Sequence, residues 1–305
     1  MQVVRYLVTA ARPRTLTAGA IPVLYAAVLL IDDRRLRWPA WLACLGIAAG
    51  LQIAANLSND YFDGLRQDDR PDRLGPVRVT ASGLLSPRTV LTAAILSTMT
   101  AAAAGGYAVW YGWSLFTTPA APLLMLAAGM LCIIVMLLYS AGPFPLSKLG
   151  LGELLALLFF GPIPCGLTYA VSAGVWSPRA FLIGLVPGLF AVTLMAVNND
   201  RDLVSDSRCG KMTLAARLGD RRAHRLTAAL FVLPPSALAA LLPCYPLGGL
   251  AGLAVLPLAV YTAAVYYRTP RGAALNQFLG RTGVLNLTAW LLFAAGTLLP
   301  GRVPS

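Results

Sequence analysis

The chain has 305 residues, of which 58% are hydrophobic and only 12% charged, and its net charge is +12. A soluble globular domain holds roughly 25% charged residues, so this composition excludes an ordinary water-soluble fold and points to a polytopic membrane protein. The positive excess lies in loops between apolar runs, with no RNA- or DNA-binding motif beside it, which sets nucleic acid aside as a partner.

The first apolar run, residues 15–31, follows Arg12 and Arg14 directly and reads as a retained anchor rather than a cleavable signal. Eight more follow, at 38–57, 89–107, 117–139, 151–173, 180–197, 226–244, 247–267 and 283–299. A crossing needs about 20 apolar residues. The charge-free stretches 89–147 and 226–267 each hold two such runs and a turn. Pro234-Pro235 interrupts the seventh run, which a membrane helix tolerates when neighbours satisfy the freed carbonyls. The expected fold is therefore all-α, with nine transmembrane helices.

Nine crossings divide the 24 Lys and Arg unequally, 19 on the face that carries the N-terminus and 5 on the other. The positive-inside rule then puts the N-terminus in the cytoplasm of a cell-membrane protein and the C-terminus outside. Five cysteines without CxxC spacing fall mostly within spans and read as apolar packing. His224 follows Arg221-Arg222 and reads as part of a solvated basic stretch.

Eight of the twelve carboxylates crowd into two segments, both on the basic face. Asp60, Asp63, Asp68, Asp69 and Asp72 follow the second span, and Asp200, Asp202 and Asp206 follow the sixth. Each segment contains an Asn-Asp pair, Asn59-Asp60 and Asn199-Asp200, about 140 residues apart. Four spans separate them, the pattern of a duplicated four-helix unit with one helix appended, its two acidic segments facing each other across a central cavity.

Helical spacing sharpens the chemistry. Asn59 and Asp63 are i,i+4 partners, as are Asn198 and Asp202, then Asp202 and Asp206, so each set forms a polar stripe at a helix end. Carbonyl and carboxylate oxygens in such sets suit Mg²⁺, which keeps several waters and binds substrate phosphate. Asp69 lies just beyond the first stripe and completes it by folding back. Arg66, Arg70, Arg73 and Arg78 interleave the first segment, and Arg201, Arg208, Lys211 and Arg217 the second. Metal-loaded carboxylates flanked by such cations hold a diphosphate and stabilise its departure. Asp32, Asp33 and Asp220 read as ordinary loop charges; Asp72 and Asp200 are either loop charges or supports for the stripes.

With these motifs the chain resembles the UbiA superfamily of intramembrane aromatic prenyltransferases. The resemblance rests on Asn59 to Asp72 and its continuation Arg73-Leu74-Gly75-Pro76-Val77-Arg78-Val79-Thr80-Ala81-Ser82-Gly83-Leu84. It extends to Asn198 to Asp206, to Gly210-Lys211-Met212-Thr213-Leu214-Ala215-Ala216-Arg217-Leu218-Gly219, to Ala11-Arg12-Pro13-Arg14-Thr15-Leu16, and to Tyr139-Ser140-Ala141-Gly142-Pro143 before Gly150-Leu151-Gly152-Glu153. These stretches look most like the dihydroxynaphthoate prenyltransferase branch that serves menaquinone synthesis. The superfamily's four-residue step from Asp63 lands here on Gln67, with Asp68 and Asp69 just beyond.

The resemblance implies one domain over 1–305, with motif regions 56–83 and 198–219, and helices around a cavity open toward the membrane. It implies Mg²⁺ held by Asn59, Asp63 and Asp69 in one site and by Asp202 and Asp206 in the other. Arg12, Arg78, Tyr139 and Lys211 would contact the diphosphate, with Arg201 among the flanking cations and Asp60 in support. The implied reaction joins a polyprenyl diphosphate to an aromatic acceptor, most simply 1,4-dihydroxy-2-naphthoate with loss of CO₂ and diphosphate, the prenyl tail lying toward membrane lipid. Competing readings are a specialised-metabolite acceptor, a membrane terpene cyclase that needs no acceptor, and a lipid or ion transporter. A transporter places its charges near mid-membrane, whereas these lie at helix ends on one face.

Overall fold

Backbone polar groups inside a bilayer find no water, so long apolar runs close their hydrogen bonds internally as helices. The computed structural model follows this rule across the described residues, 2–66, 74–75 and 77–299, where every regular element is helical. Asp68, Asp69 and Asp72 of the first acidic segment lie outside the described residues.

A short helix α1 (Gln2–Ala11) exposes Val3, Val4 and Val8 and packs Ala10 against Leu57 and Val79. Arg12 breaks it with a left-handed backbone, φ 52°, and α2 (Pro13–Asp32) restarts with proline in its first turn, where no N–H is needed. The long α3 (Trp38–Leu65) lies against α4 (Pro87–Gly112), which Ser86 caps by accepting the Thr89 N–H at 3.2 Å. Small residues let the pair approach: a Cβ on Gly50 would stand 3.0 Å from that of Ala101. Then comes α5 (Ala120–Ser140).

The fifth crossing is two helices, α6 (Gly152–Phe159) and α7 (Pro162–Ala173). Pro162 opens the second, and Gly161 before it is pressed against α8 (Pro178–Arg201), where any Cβ would meet the Gly184 carbonyl at 2.5 Å. After α8 come the short α9 (Leu203–Arg208) and α10 (Leu214–Leu218). The seventh crossing starts as α11 (Asp220–Leu230) and bends by 41° into α12 (Leu233–Ser236) and the tight helix Ala237–Leu241. The bend falls just before the Pro234-Pro235 pair that the sequence marks as the interruption. The eighth crossing is α13 (Pro246–Leu253) with α14 (Leu256–Arg268), and α15 (Asn276–Leu298) is the last.

Eight spans among the described residues are long and apolar enough to cross a membrane, and the bent pair makes the ninth. The main core joins α2, α7, α8, α11, α14 and α15 around Tyr25, Phe190, Phe231, Tyr266, Phe278 and Phe293. A second apolar cluster ties α2 and α7 to α3, α4 and α5. The chain thus runs through four crossings, four more and a ninth, and each acidic segment follows the second crossing of its run.

Candidate active site

Both acidic motifs sit at helix C-termini, where the helix dipole disfavours negative charge. Cations or metal must offset that, and the geometry shows which cations do so.

At the end of α3, Asp63 is buried and each of its oxygens meets a guanidinium: Arg66 at 2.7 Å and Arg78 at 2.8 Å. Arg66 also donates to the Ser140 carbonyl at 2.6 Å, and the Ser140 hydroxyl bonds the Asn59 side-chain oxygen. One turn back, fully buried Asp60 accepts the backbone N–H groups of Val79 (3.0 Å) and Thr80 (2.8 Å). That clamps the segment carrying Arg78 onto α3. Gly64 permits the approach, since a Cβ there would lie 2.8 Å from the Thr80 methyl. Arg12 joins from the α1–α2 turn, which Asn56 ties to α3 by donating to the Ala11 carbonyl at 2.9 Å.

At the end of α8, Asp202 is the capping residue just past Arg201 and is gripped on both oxygens by Arg201, at 2.8 and 2.5 Å. Arg201 also donates to the Asn276 side-chain oxygen at 2.8 Å, and Asn276 donates onward to the Leu74 carbonyl at 3.3 Å. One chain of contacts therefore links the second motif to the segment behind the first. Asp206 lies a turn further, its backbone N–H bonded to the Asp202 carbonyl at 2.8 Å, so the predicted i,i+4 stripe survives the helix break. Gly210, with φ 69°, turns the chain back so that the Lys211 ammonium stands 3.8 Å from the Asp206 carboxylate.

Tyr139 lies between the motifs, within electrostatic reach of Asp63 and Arg78 from one and Asp206 from the other, and of Glu153. Glu153 is buried at the start of α6 and accepts from Asn199 at 2.8 Å, its second oxygen having no hydrogen-bond partner. Gly152 lies beside the Tyr139 hydroxyl, which a Cβ there would meet at ordinary contact distance, 3.5 Å.

Asn59, Asp63, Arg78, Tyr139, Arg201, Asp202, Asp206, Lys211 and Arg12 thus gather at one end of the bundle; the predicted Asp69 lies outside the described residues. Asn276 carried no pattern that would have marked it, whereas Ser140 and Asn199 lay inside the motif stretches without a role of their own. Glu153 carried one: it is the only acid between Asp72 and Asp200.

Asp33 and His224, read from sequence as solvated, are not, and Asp200, left open between a loop charge and a support, is a buried structural residue. Asp200 is fully buried and accepts from the Tyr266 hydroxyl (2.5 Å), His224 Nδ1 (2.6 Å) and the Arg271 guanidinium (2.7 Å), joining α8 to α11, α14 and the segment before α15. His224 belongs to that cluster, its ring stacked on Tyr266 at 4.8 Å, instead of a solvated basic stretch. Asp33 accepts from the Tyr169 hydroxyl at 2.6 Å and from Arg179 at 3.3 Å. Their neighbours in sequence are polar, but their partners come from distant elements.

The donor set is that of a hard cation: carboxylates of Asp63, Asp202 and Asp206 with the Asn59 carbonyl oxygen. Among the described residues no three His, Cys, Asp or Glu converge into a closed cage. An open set of this kind fits Mg²⁺, which retains water and shares its sphere with substrate phosphate.

Fold and site together define a helical, polytopic prenyltransferase of the membrane. The chain belongs to the UbiA prenyltransferase family, whose pattern it matches over residues 20–292. It is 35% identical over 298 residues to the 1,4-dihydroxy-2-naphthoate octaprenyltransferase of Mycobacterium tuberculosis, covering 97% of each chain. Its identity to the 1,4-dihydroxy-2-naphthoate octaprenyltransferase of Escherichia coli is 32% over 297 residues, covering 94% of this chain and 93% of that one. The fold is also similar to that of a UbiA homolog from Archaeoglobus fulgidus bound to DMAPP and Mg2+, with a TM-score of 0.61 at 15% identity, over 96% of this chain and 99% of the other.

Proposed function

We propose that the protein transfers a polyprenyl group from its diphosphate to 1,4-dihydroxy-2-naphthoate, releasing diphosphate and CO₂, in a Mg²⁺-dependent step of menaquinone synthesis. The near-full-length likeness to two naphthoate octaprenyltransferases carries the choice of acceptor. Two carboxylate–cation clusters, both within electrostatic reach of Tyr139, support the choice of donor.

Asn59, Asp63, Asp202 and Asp206 would hold the metal ions, with Asp69 assigned to the first site, and Mg²⁺ bound there would supply the positive charge that offsets a departing diphosphate. Arg12, Arg78, Arg201 and Lys211 turn their N–H donors from the carboxylates to the phosphate oxygens, and Tyr139 donates from between the two motifs. The C–O bond breaks toward diphosphate, giving an allylic cation. The electron-rich ring carbon of the acceptor attacks that cation, and loss of CO₂ from the same carbon restores aromaticity. The apolar spans keep water from the cation until attack is complete. The excess of Lys and Arg on the motif face supports its assignment to the cytoplasm.

Membranes holding the protein, supplied with octaprenyl diphosphate, dihydroxynaphthoate and Mg²⁺, should yield the decarboxylated prenyl naphthoquinol by mass spectrometry, and chelation should stop it. A cyclic hydrocarbon formed without acceptor would overturn the transferase reading. Turnover with other phenols but none with dihydroxynaphthoate would overturn the acceptor.

A further inference from the structure

At the opposite end of the bundle, the turn between α2 and α3 builds a second polar site that prenyl transfer does not use. Arg34, Arg35, Leu36 and Arg37 line a cavity of about 430 Å³ together with Ser172 and Ala173 at the end of α7. α3 begins at this turn with Trp38 and carries Asp63 near its other end, which sets the turn about 38 Å from the first acidic motif, enough to cross a bilayer core.

Three observations point to an anion. The face opposite the motifs carries five cations in all, and Arg34, Arg35, Arg37 and Arg179 concentrate four of them here. Asp33, an acid in the turn, is already engaged by the Tyr169 hydroxyl and Arg179, leaving Arg34, Arg35 and Arg37 beside Asp32. Ser172 is fully buried, lines the cavity, and its hydroxyl has no hydrogen-bond partner, where a buried hydroxyl ordinarily finds one. Arg34 holds the left-handed backbone, φ 55°, that ends α2, with the Arg35 N–H closing the turn on the Leu30 carbonyl at 2.7 Å. Leu36 packs into the main core and anchors the turn, so the arginines flank a fixed point.

The surroundings favour a lipid as the source of that anion. Trp38 and Trp176 are both exposed at this end, and exposed tryptophans mark the headgroup level of a membrane. We infer that this cavity binds a phosphate oxyanion, presented by the phosphodiester of an anionic phospholipid in the leaflet opposite the active site. Arg34, Arg35 and Arg37 supply charge-assisted N–H donors, and the Ser172 hydroxyl donates from the floor.

The test is native mass spectrometry of the full chain in detergent, titrated separately with phosphatidylglycerol, phosphatidylcholine and inorganic phosphate. The protein should retain phosphatidylglycerol in preference to phosphatidylcholine. Replacing Arg34→Gln, Arg35→Gln and Arg37→Gln together should weaken phosphatidylglycerol binding by about a hundredfold, since each cation at an anionic surface contributes several-fold. Ser172→Ala should weaken it by roughly fivefold with the arginines intact. Inorganic phosphate binding as tightly as phosphatidylglycerol, and lost in the triple variant, would support the oxyanion site while assigning its ligand to solution. Equal retention of the two lipids, or a triple variant that binds phosphatidylglycerol like the parent protein, would overturn the inference. Prenyl transfer should be unchanged in all variants, so the result stands apart from the acceptor and metal assignments.

Discussion

Asp63 and Arg78 meet at 2.8 Å across fifteen residues of chain, and that pair fixes where the first motif ends and the next segment begins. The contact forms only because Asp60, one turn earlier, holds the Val79 and Thr80 N–H groups. Two neighbouring carboxylates on α3 therefore have separate duties. One positions the segment; the other faces the site with both oxygens in reach of cations.

The first prediction separates those duties. Asp63→Ala should lower diphosphate release by about a hundredfold or more, the scale of losing one preorganised electrostatic group, with the thermal midpoint largely kept. Turnover equal to the parent protein in purified, folded Asp63→Ala would reject its place in the site.

Asp60→Ala should act on the fold. It would leave two buried backbone N–H groups without an acceptor, a loss of roughly 2 kcal/mol or more. Thermal unfolding in detergent should show a clear fall in midpoint, and Asp60→Asn, which keeps one acceptor oxygen, should fall less.

A parallel contrast holds in the second half. Asp200→Ala would strand the Tyr266 hydroxyl and leave the Arg271 guanidinium with Asp220 alone, and breaking such a buried pair is destabilising by about 3 kcal/mol. Asp202→Ala, two residues on, should keep its midpoint and lose diphosphate release. If the two variants exchanged these phenotypes, the assignment of Asp200 to structure and Asp202 to chemistry would be reversed.

Glu153 is expected to be a positioning residue, acting through Asn199 on the end of α8. Glu153→Ala should reduce kcat by about tenfold, in the range seen when a group orienting a metal site is removed. Glu153→Gln retains an oxygen for Asn199 and should restore most of the rate. Equal loss in both variants would show that the negative charge itself matters.

The spans were legible because the bilayer imposes one rule on all of them, and even the break in the seventh was marked by Pro234-Pro235. The break in the fifth had a signal too, Pro162 after a glycine, but the close approach of Gly161 to Gly184 depends on helices brought together by the fold. The motif residues were legible from i,i+4 spacing of oxygen donors. His224 was misread and the role of Asp200 left open because local polarity reports on neighbours in sequence, and their partners Tyr266 and Arg271 lie more than forty positions away. Asn276 was invisible for the same reason.

Asn276 has a practical consequence. Through Arg201 on one side and the Leu74 carbonyl on the other, the first turn of α15 fastens the two motif regions together. Its other end, Leu298, lies about 33 Å away on the far side of the bundle. A purification tag or reporter fused beyond that end hangs clear of the brace, whereas a few extra residues spliced in near Gly272 would let the halves drift apart while every span stayed embedded.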